Sequence, residues 1–120
     1  DAFAAMVKER AGALLLTGDS MFFVHRARLA DLAMKSRLPS MSTQWQWVDA
    51  GGLLSYGPSL PDQWYRAATF VDRIFRGAKP TDLPIEQPAK FELAINLRTA
   101  RELGIAVPQS ILQRADDVIR

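Results

Sequence analysis

A chain of 120 residues, 48% hydrophobic and 23% charged, has the make-up of a globular domain with a core of its own. Its 15 Lys and Arg against 13 Asp and Glu leave a formal charge of +2, spread along the chain without a basic block or stripe, which argues against a nucleic-acid partner. The absence of cysteine excludes disulfides, thiolate metal sites and a Cys nucleophile, and no apolar run approaches the ~20 residues that span a bilayer.

The opening stretch, Asp1 to Arg10, reads as helix over 3–9 with a stop at Ala11-Gly12, and not as a signal peptide. A chain that opens inside a helix implies an excised piece of a longer protein. Ala13-Leu14-Leu15-Leu16 is a short apolar run bounded by Gly12 and Thr17-Gly18-Asp19-Ser20, the pattern of a parallel strand buried on both faces. Asp19 or Ser20 then caps a helix expected over 21–36, with Phe22, Phe23, Leu29, Ala30, Ala33 and Met34 on one broad side. Arg26 falls within that apolar side, and patterning does not explain it.

Leu38-Pro39 ends this helix and opens a second strand over 39–43, followed by a short helix from Gln44 to Ala50 closed by Gly51-Gly52. Leu53 to Tyr56 is a third strand, ended by Gly57-Pro58. From 61 to 76 the sequence is strongly amphipathic: Leu60, Trp64, Ala67, Ala68, Phe70, Val71, Ile74 and Phe75 make one stripe, with Pro61 in the first turn and Gly77 as the stop. Residues 78–90 carry three prolines and read as extended linker. Phe91 to Ile95 alternates as a strand, Asn96 caps a helix to Leu103, and Ser110 opens a last helix with Ile111, Leu112, Ala115, Val118 and Ile119 on one face. Strands alternating with helices in this way imply an α/β fold with a mostly parallel sheet, whose ligands sit beyond the carboxyl ends of the strands.

That rule selects three loops. At Thr17, Asp19 and Ser20 the hydroxyls and the free helix amides suit a carboxylate or phosphate, and Asp19 suits an ammonium or a hydroxyl; the alternative role of Asp19 and Ser20 is to cap the helix. Trp45, Gln46 and Trp47 follow the second strand, and two tryptophans one residue apart cannot share a helix face, so one packs inward while the other meets solvent or a cleft. Tyr56 offers a flat face and a hydroxyl, and Gly57 a pivot or a tight turn. His25, the one histidine, sits mid-helix without partners for a triad or a metal, and the adjacent Asp116 and Asp117 point apart, as solvated residues do. Neither a phosphate loop nor a dinucleotide fingerprint occurs. The sequence therefore calls for no catalytic residues, no metal and no cofactor, and an α/β hydrolase or transferase lacks its catalytic pair.

The string from Asp49 to Asp62, with Ala50-Gly51-Gly52 leading into Leu53-Leu54-Ser55-Tyr56-Gly57, resembles the signature of a bacterial family of ABC transporter substrate-binding proteins. The resemblance is collinear over 10–120: His25 to Leu29, Ala67 to Ile74, Gly77 to Pro84, Glu86 to Pro88, Phe91 to Leu97, and Leu103-Gly104 before Pro108 all agree with it. It implies a three-layer α/β sandwich of the type I periplasmic-binding-protein kind: two lobes with a small molecule held between them, delivered to a membrane permease and its ATPase. Two ordinary lobes make about 300 residues, of which this chain would supply the last third. By this resemblance 1–58 are strand–helix units of the C-terminal lobe, 59–77 a helix on the missing N-terminal lobe, and 78–120 the returning linker with the last strand and helices. The family's ligand loops fall on Thr17, Asp19 and Ser20, on Trp45 and Gln46 in the 44–47 turn, and on Tyr56 with Gly57. At Gln46 the chain departs from the acidic residue common there, so a contact to a ligand amine does not carry over at that position. The resemblance further implies an exported, periplasmic or cell-envelope protein, an amino-acid-like or aromatic solute, and hinged closure. A ligand-sensing regulatory domain on the same fold is the rival. Without the other lobe, Trp64, Phe70 and Ile74 need another cover, and the expected one is self-association, as a dimer that exchanges this helix.

Overall fold

The structure, a computed structural model, describes residues 2–120. Its elements are α1 (Ala2–Lys8), β1 (Leu14–Leu16), α2 (Ser20–Val24), α3 (Arg26–Lys35), β2 (Ser40–Ser42), α4 (Gln46–Asp49), β3 (Leu54–Pro58), α5 (Leu60–Phe75), β4 (Phe91–Asn96), α6 (Leu97–Leu103), α7 (Gln109–Leu112) and β5 (Asp117–Ile119). The strands form one sheet in the order β1-β2-β3-β4-β5. β1 runs parallel to β2 and β2 to β3, with Leu16 opposite Ser42 and Ser42 opposite Ser55, and β4 runs parallel to β5 with Ile95 opposite Val118. The fold is thus the expected mostly parallel α/β class. The chain divides into two units, one running to Gly57 and resuming over Glu92–Arg120, the other Pro58–Phe91.

In the first unit the core lies on one face of the sheet. Leu16 packs with Ala30 of α3 and Trp47 of α4, while Phe3 of α1 packs with Ala33 and Leu38. The opposite face differs from the expectation of a strand buried on both sides. Leu15 is 64% exposed, and Leu15, Met41 and Leu54, neighbours in register on three strands, line an open groove of about 320 Å³. An all-apolar strand marks two faces that can be covered, and in this structure only one is.

The Ala50-Gly51-Gly52 turn has a physical explanation. Gly51 ends α4 at φ +103°, in the left-handed region that favours glycine, while the Gly52 amide reaches back to the Trp47 carbonyl at 2.9 Å. Gly52 lies flat against the Trp47 indole, so that any β-carbon there would overlap the ring. Asn96, buried at the end of β4, latches this turn. Its Nδ2 donates to the Val48 carbonyl (3.1 Å), its Oδ1 accepts from the Arg98 and Thr99 amides at the start of α6, and the Thr99 hydroxyl donates to the Gly51 carbonyl (2.9 Å). The α1 and α3 helices end in the same reach-back bond but on arginine: Arg10 at φ 56° and Arg37 at φ 51°. The expected stop at Gly12 is thus moved to Arg10.

Three further expectations are corrected. The helix over 21–36 is two helices, broken at His25 (φ −96°, ψ 14°). The last helix is a single turn, α7, which follows Pro108 as its N-cap and contains Ser110, and Val118 and Ile119 belong to a strand. Spacing in fours pointed to one helix, but the two β-branched residues pair with β4 instead. Asp116 secures that pairing: its amide donates to the Leu93 carbonyl, and its carboxylate accepts from the Leu93 amide, both at 2.8 Å, so the residue, exposed as expected, is also a structural tie. The 78–90 linker is extended apart from one 3₁₀ turn over Pro80–Asp82.

The second unit is α5 and the strap that follows it. Arg66 pairs with Glu86, its Nε donating at 3.1 Å and its Nη2 bonded to the same oxygen, and this carboxylate raises the arginine pKa above its ordinary value. Gln63, Ala67 and Phe70 face Pro84, Gln87 and Pro88 across a groove of about 390 Å³. The single stripe read from the sequence is therefore two lines. Phe70 is half-buried in the groove, while Trp64 (74% exposed), Ala68, Val71 and Phe75 (86%) make a bare line one turn apart.

Candidate functional site

β1 and β2 run out into the segments Thr17–Asp19 and Thr43–Gln44, and the structure draws these together with Tyr56–Gly57, in the carboxyl half of β3, at Thr43. Gly57 packs directly on the Thr43 backbone, where a β-carbon would overlap the carbonyl group. On the other side, a β-carbon at Gly18 would stand 3.6 Å from the Thr43 hydroxyl, ordinary contact. Gly57 is buried inside β3, so it is the close approach of another backbone that requires glycine there. Beside this contact, Thr17, Asp19, Ser42, Gln44 and Trp47 line a recess of about 10 Å³.

A family described as ABC transporter substrate-binding protein matches residues 2–119. The chain belongs to this family. A conserved domain protein from Vibrio cholerae O1 biovar El Tor superposes with a TM-score of 0.89 at 23% identity, over 98% of this chain and 39% of that one. The ABC domain from Streptococcus pneumoniae, solved in complex with L-Trp, superposes at 0.88 with 26% identity over the same shares. The ligand-free, open CD0873 from Clostridium difficile, a substrate-binding protein with adhesive properties, follows at 0.70 and 16% identity. The chain therefore spans 39% of the length of the structures it resembles. No curated protein matches it by sequence.

On this substrate-binding fold the candidate residues divide. Thr17 and Asp19 share the recess. Asp19 also caps α2, its Oδ1 accepting from the Met21 amide at 2.7 Å; the two roles weighed for it are held together. Ser20 is the exposed first residue of α2 and does not line the recess. Trp47 is the inward tryptophan at 3% exposure and Trp45 the outward one at 48%, as their spacing required. Gln46 is half-buried, with Oε1 buried and unpaired among the described residues. Tyr56 stands half exposed on β3 next to Gly57, outside the recess lining. Arg26, unexplained by patterning, donates to the Phe23 carbonyl (2.9 Å) and lies over the Phe23 ring at 4.7 Å.

Ser42 and Thr43 were not singled out from the sequence, and Gln44 entered only as the first residue of the 44–47 turn. The second strand was drawn to residue 43, and it ends at Ser42, so the loop begins earlier than read. The signal available was three consecutive polar residues, Ser42-Thr43-Gln44, after an apolar position. No group of three or more His, Cys, Asp or Glu able to hold a metal occurs among the described residues.

Proposed function

We propose that the chain is the C-terminal part of the solute-binding component of an ABC-type uptake transporter, closing with a second lobe on an amino-acid-like or aromatic small molecule. The observation that carries this is the meeting of the loops after β1 and β2 with Gly57 of β3 at Thr43, with the boundary between the two units falling at Gly57. Ligands of open α/β sheets lie at such strand ends. The L-Trp bound to the pneumococcal ABC domain supports the solute class. In this reading 1–58 and the chain's last strand and helices build the C-terminal lobe, α5 belongs with the other lobe, and 78–90 lead back. The open groove over Leu15, Met41 and Leu54 and the bare line on α5 support it, since both are apolar surfaces that further chain would cover.

The protein acts as a carrier and not as an enzyme, works outside the cytoplasm, and hands its solute to a membrane permease. Binding energy realised in both lobes shifts an open–closed equilibrium. The 120 residues alone associate through the α5 line. Native mass spectrometry of the two-lobe protein should retain a small solute, and a thermal-shift screen of amino acids and aromatic acids should raise its Tm. A ligand at 100 times its Kd adds about 2.7 kcal/mol. No retained solute and no shift across that screen would refute the reading.

A further inference from the structure

The helix α4 is one turn of four residues, too short to hold its own shape in water, and no side chain caps its start at Trp45. It leads into β3 through Gly51 and Gly52, where the backbone has most freedom. Trp47 pins α4 to the core against Leu16 and Ala30, but a single point of attachment leaves the turn free to tilt. The second point comes from β4 and α6. Asn96, 6% exposed, grips both sides of the glycine turn: its backbone amide donates to the Leu53 carbonyl at 2.8 Å and its Nδ2 to the Val48 carbonyl at 3.1 Å. Between them the Thr99 hydroxyl donates to the Gly51 carbonyl at 2.9 Å. Capping α6 requires only the Asn96 Oδ1, which an aspartate or serine would also supply. The Nδ2 bond to Val48 is what asparagine adds.

We propose that Asn96 and Thr99 are positioning residues that hold Trp45 and Tyr56 at a fixed separation and tilt for the solute. The inference rests on the small-molecule reading above and adds the device that keeps its two outward rings in place. Trp45 stands one helical turn before Val48, and its carbonyl accepts from the Val48 amide at 2.9 Å. Tyr56 follows Leu53 on β3, and each ring is 48% exposed. The two carbonyls that Asn96 grips, Val48 and Leu53, therefore lie on the paths to the two rings. Neither Asn96 nor Thr99 lines the recess at Thr17 and Asp19, so both act through the turn and touch no ligand there. Releasing the Val48 carbonyl frees α4 to rock about Trp47, and Trp45 swings with it.

The test joins ¹H–¹⁵N NMR of the 120-residue chain, read at the Trp45 indole N–H and the Tyr56 amide, to calorimetric titration of L-tryptophan into the two-lobe protein. Asn96→Asp keeps the α6 cap and loses the donor to Val48; Thr99→Val keeps the shape and loses the donor to Gly51. Both should shift or broaden the two signals and weaken L-tryptophan by about tenfold, the loss of one well-made hydrogen bond. Thr99→Ser, which keeps the hydroxyl, should retain wild-type signals and affinity. Ile95→Val, at the buried neighbour on β4, costs comparable stability without touching these bonds and should move neither readout. Unmoved signals in Thr99→Val overturn the proposal, as do signals moved equally by Ile95→Val or moved signals with unchanged affinity. If Asn96→Asp does not fold, Thr99→Val against Thr99→Ser decides. A wild-type two-lobe protein that binds no L-tryptophan counts against the solute reading instead, and the NMR readout then decides the proposal alone.

Discussion

The two tryptophans Trp47 and Trp64 mark how differently the two units use the same kind of residue. Trp47 is wrapped by Leu16, Ala30 and the flat surface of Gly52, and the turn beside it is latched by Asn96 and Thr99. Trp64 heads a bare line on a helix whose other line is only partly roofed by a proline strap. An amphipathic helix is stable through what it packs against. The first unit thus contains the reason for its own pattern, whereas the second displays an apolar line that its own residues leave bare.

That contrast can be broken in order of expected effect. Trp47→Ala should cost about 3–5 kcal/mol in chemical denaturation, the range for a large buried aromatic, against about 0.5 kcal/mol for Trp64→Ala in monomeric chain. Equal losses would erase the distinction. Gly57→Ala forces the Thr43 carbonyl to move, an overpacking worth about 1–3 kcal/mol, and should disturb the amides of Gly18 and Thr43 as well; a silent Gly57→Ala would dissolve the convergence at the site. Asn96→Ala removes the α6 cap and the tie to Val48, about 1–2 kcal/mol by thermal melt. Arg37→Gly should gain about 1 kcal/mol, because a left-handed helix stop on arginine is strained where glycine is not; a loss would mean that the arginine side chain holds something in place. Phe75→Asp should leave stability within about 0.5 kcal/mol while abolishing self-association in light scattering, and a wild-type chain monomeric at high concentration would contradict the partner reading of α5.

The order of elements was legible because each is punctuated locally. Pro61, Gly77, Asn96 and Gly104 act where their chemistry predicts, and Gly51 closes α4 as read. What was illegible depends on partners distant in sequence. Val118 and Ile119 fit a helix face until β4 offers them a ladder. Asp116 is exposed as read, but its tie to the Leu93 amide, 23 residues away, was not visible. Gly57 read as a pivot because a glycine in a sequence shows freedom but not the neighbouring backbone that excludes a side chain. At the site, Thr17 and Asp19 were visible through the strand–loop–helix rule. Ser42 was not, since the strand was drawn one residue too far and the loop after it begins at Thr43.

The central claim is that this chain carries one side of a two-sided solute site. Calorimetric titration of L-tryptophan into the 120-residue chain and into the two-lobe protein that includes it tests this most directly. The account predicts binding at least about 100-fold tighter in the two-lobe protein, or about 2.7 kcal/mol. Equal affinity of the two would contradict it.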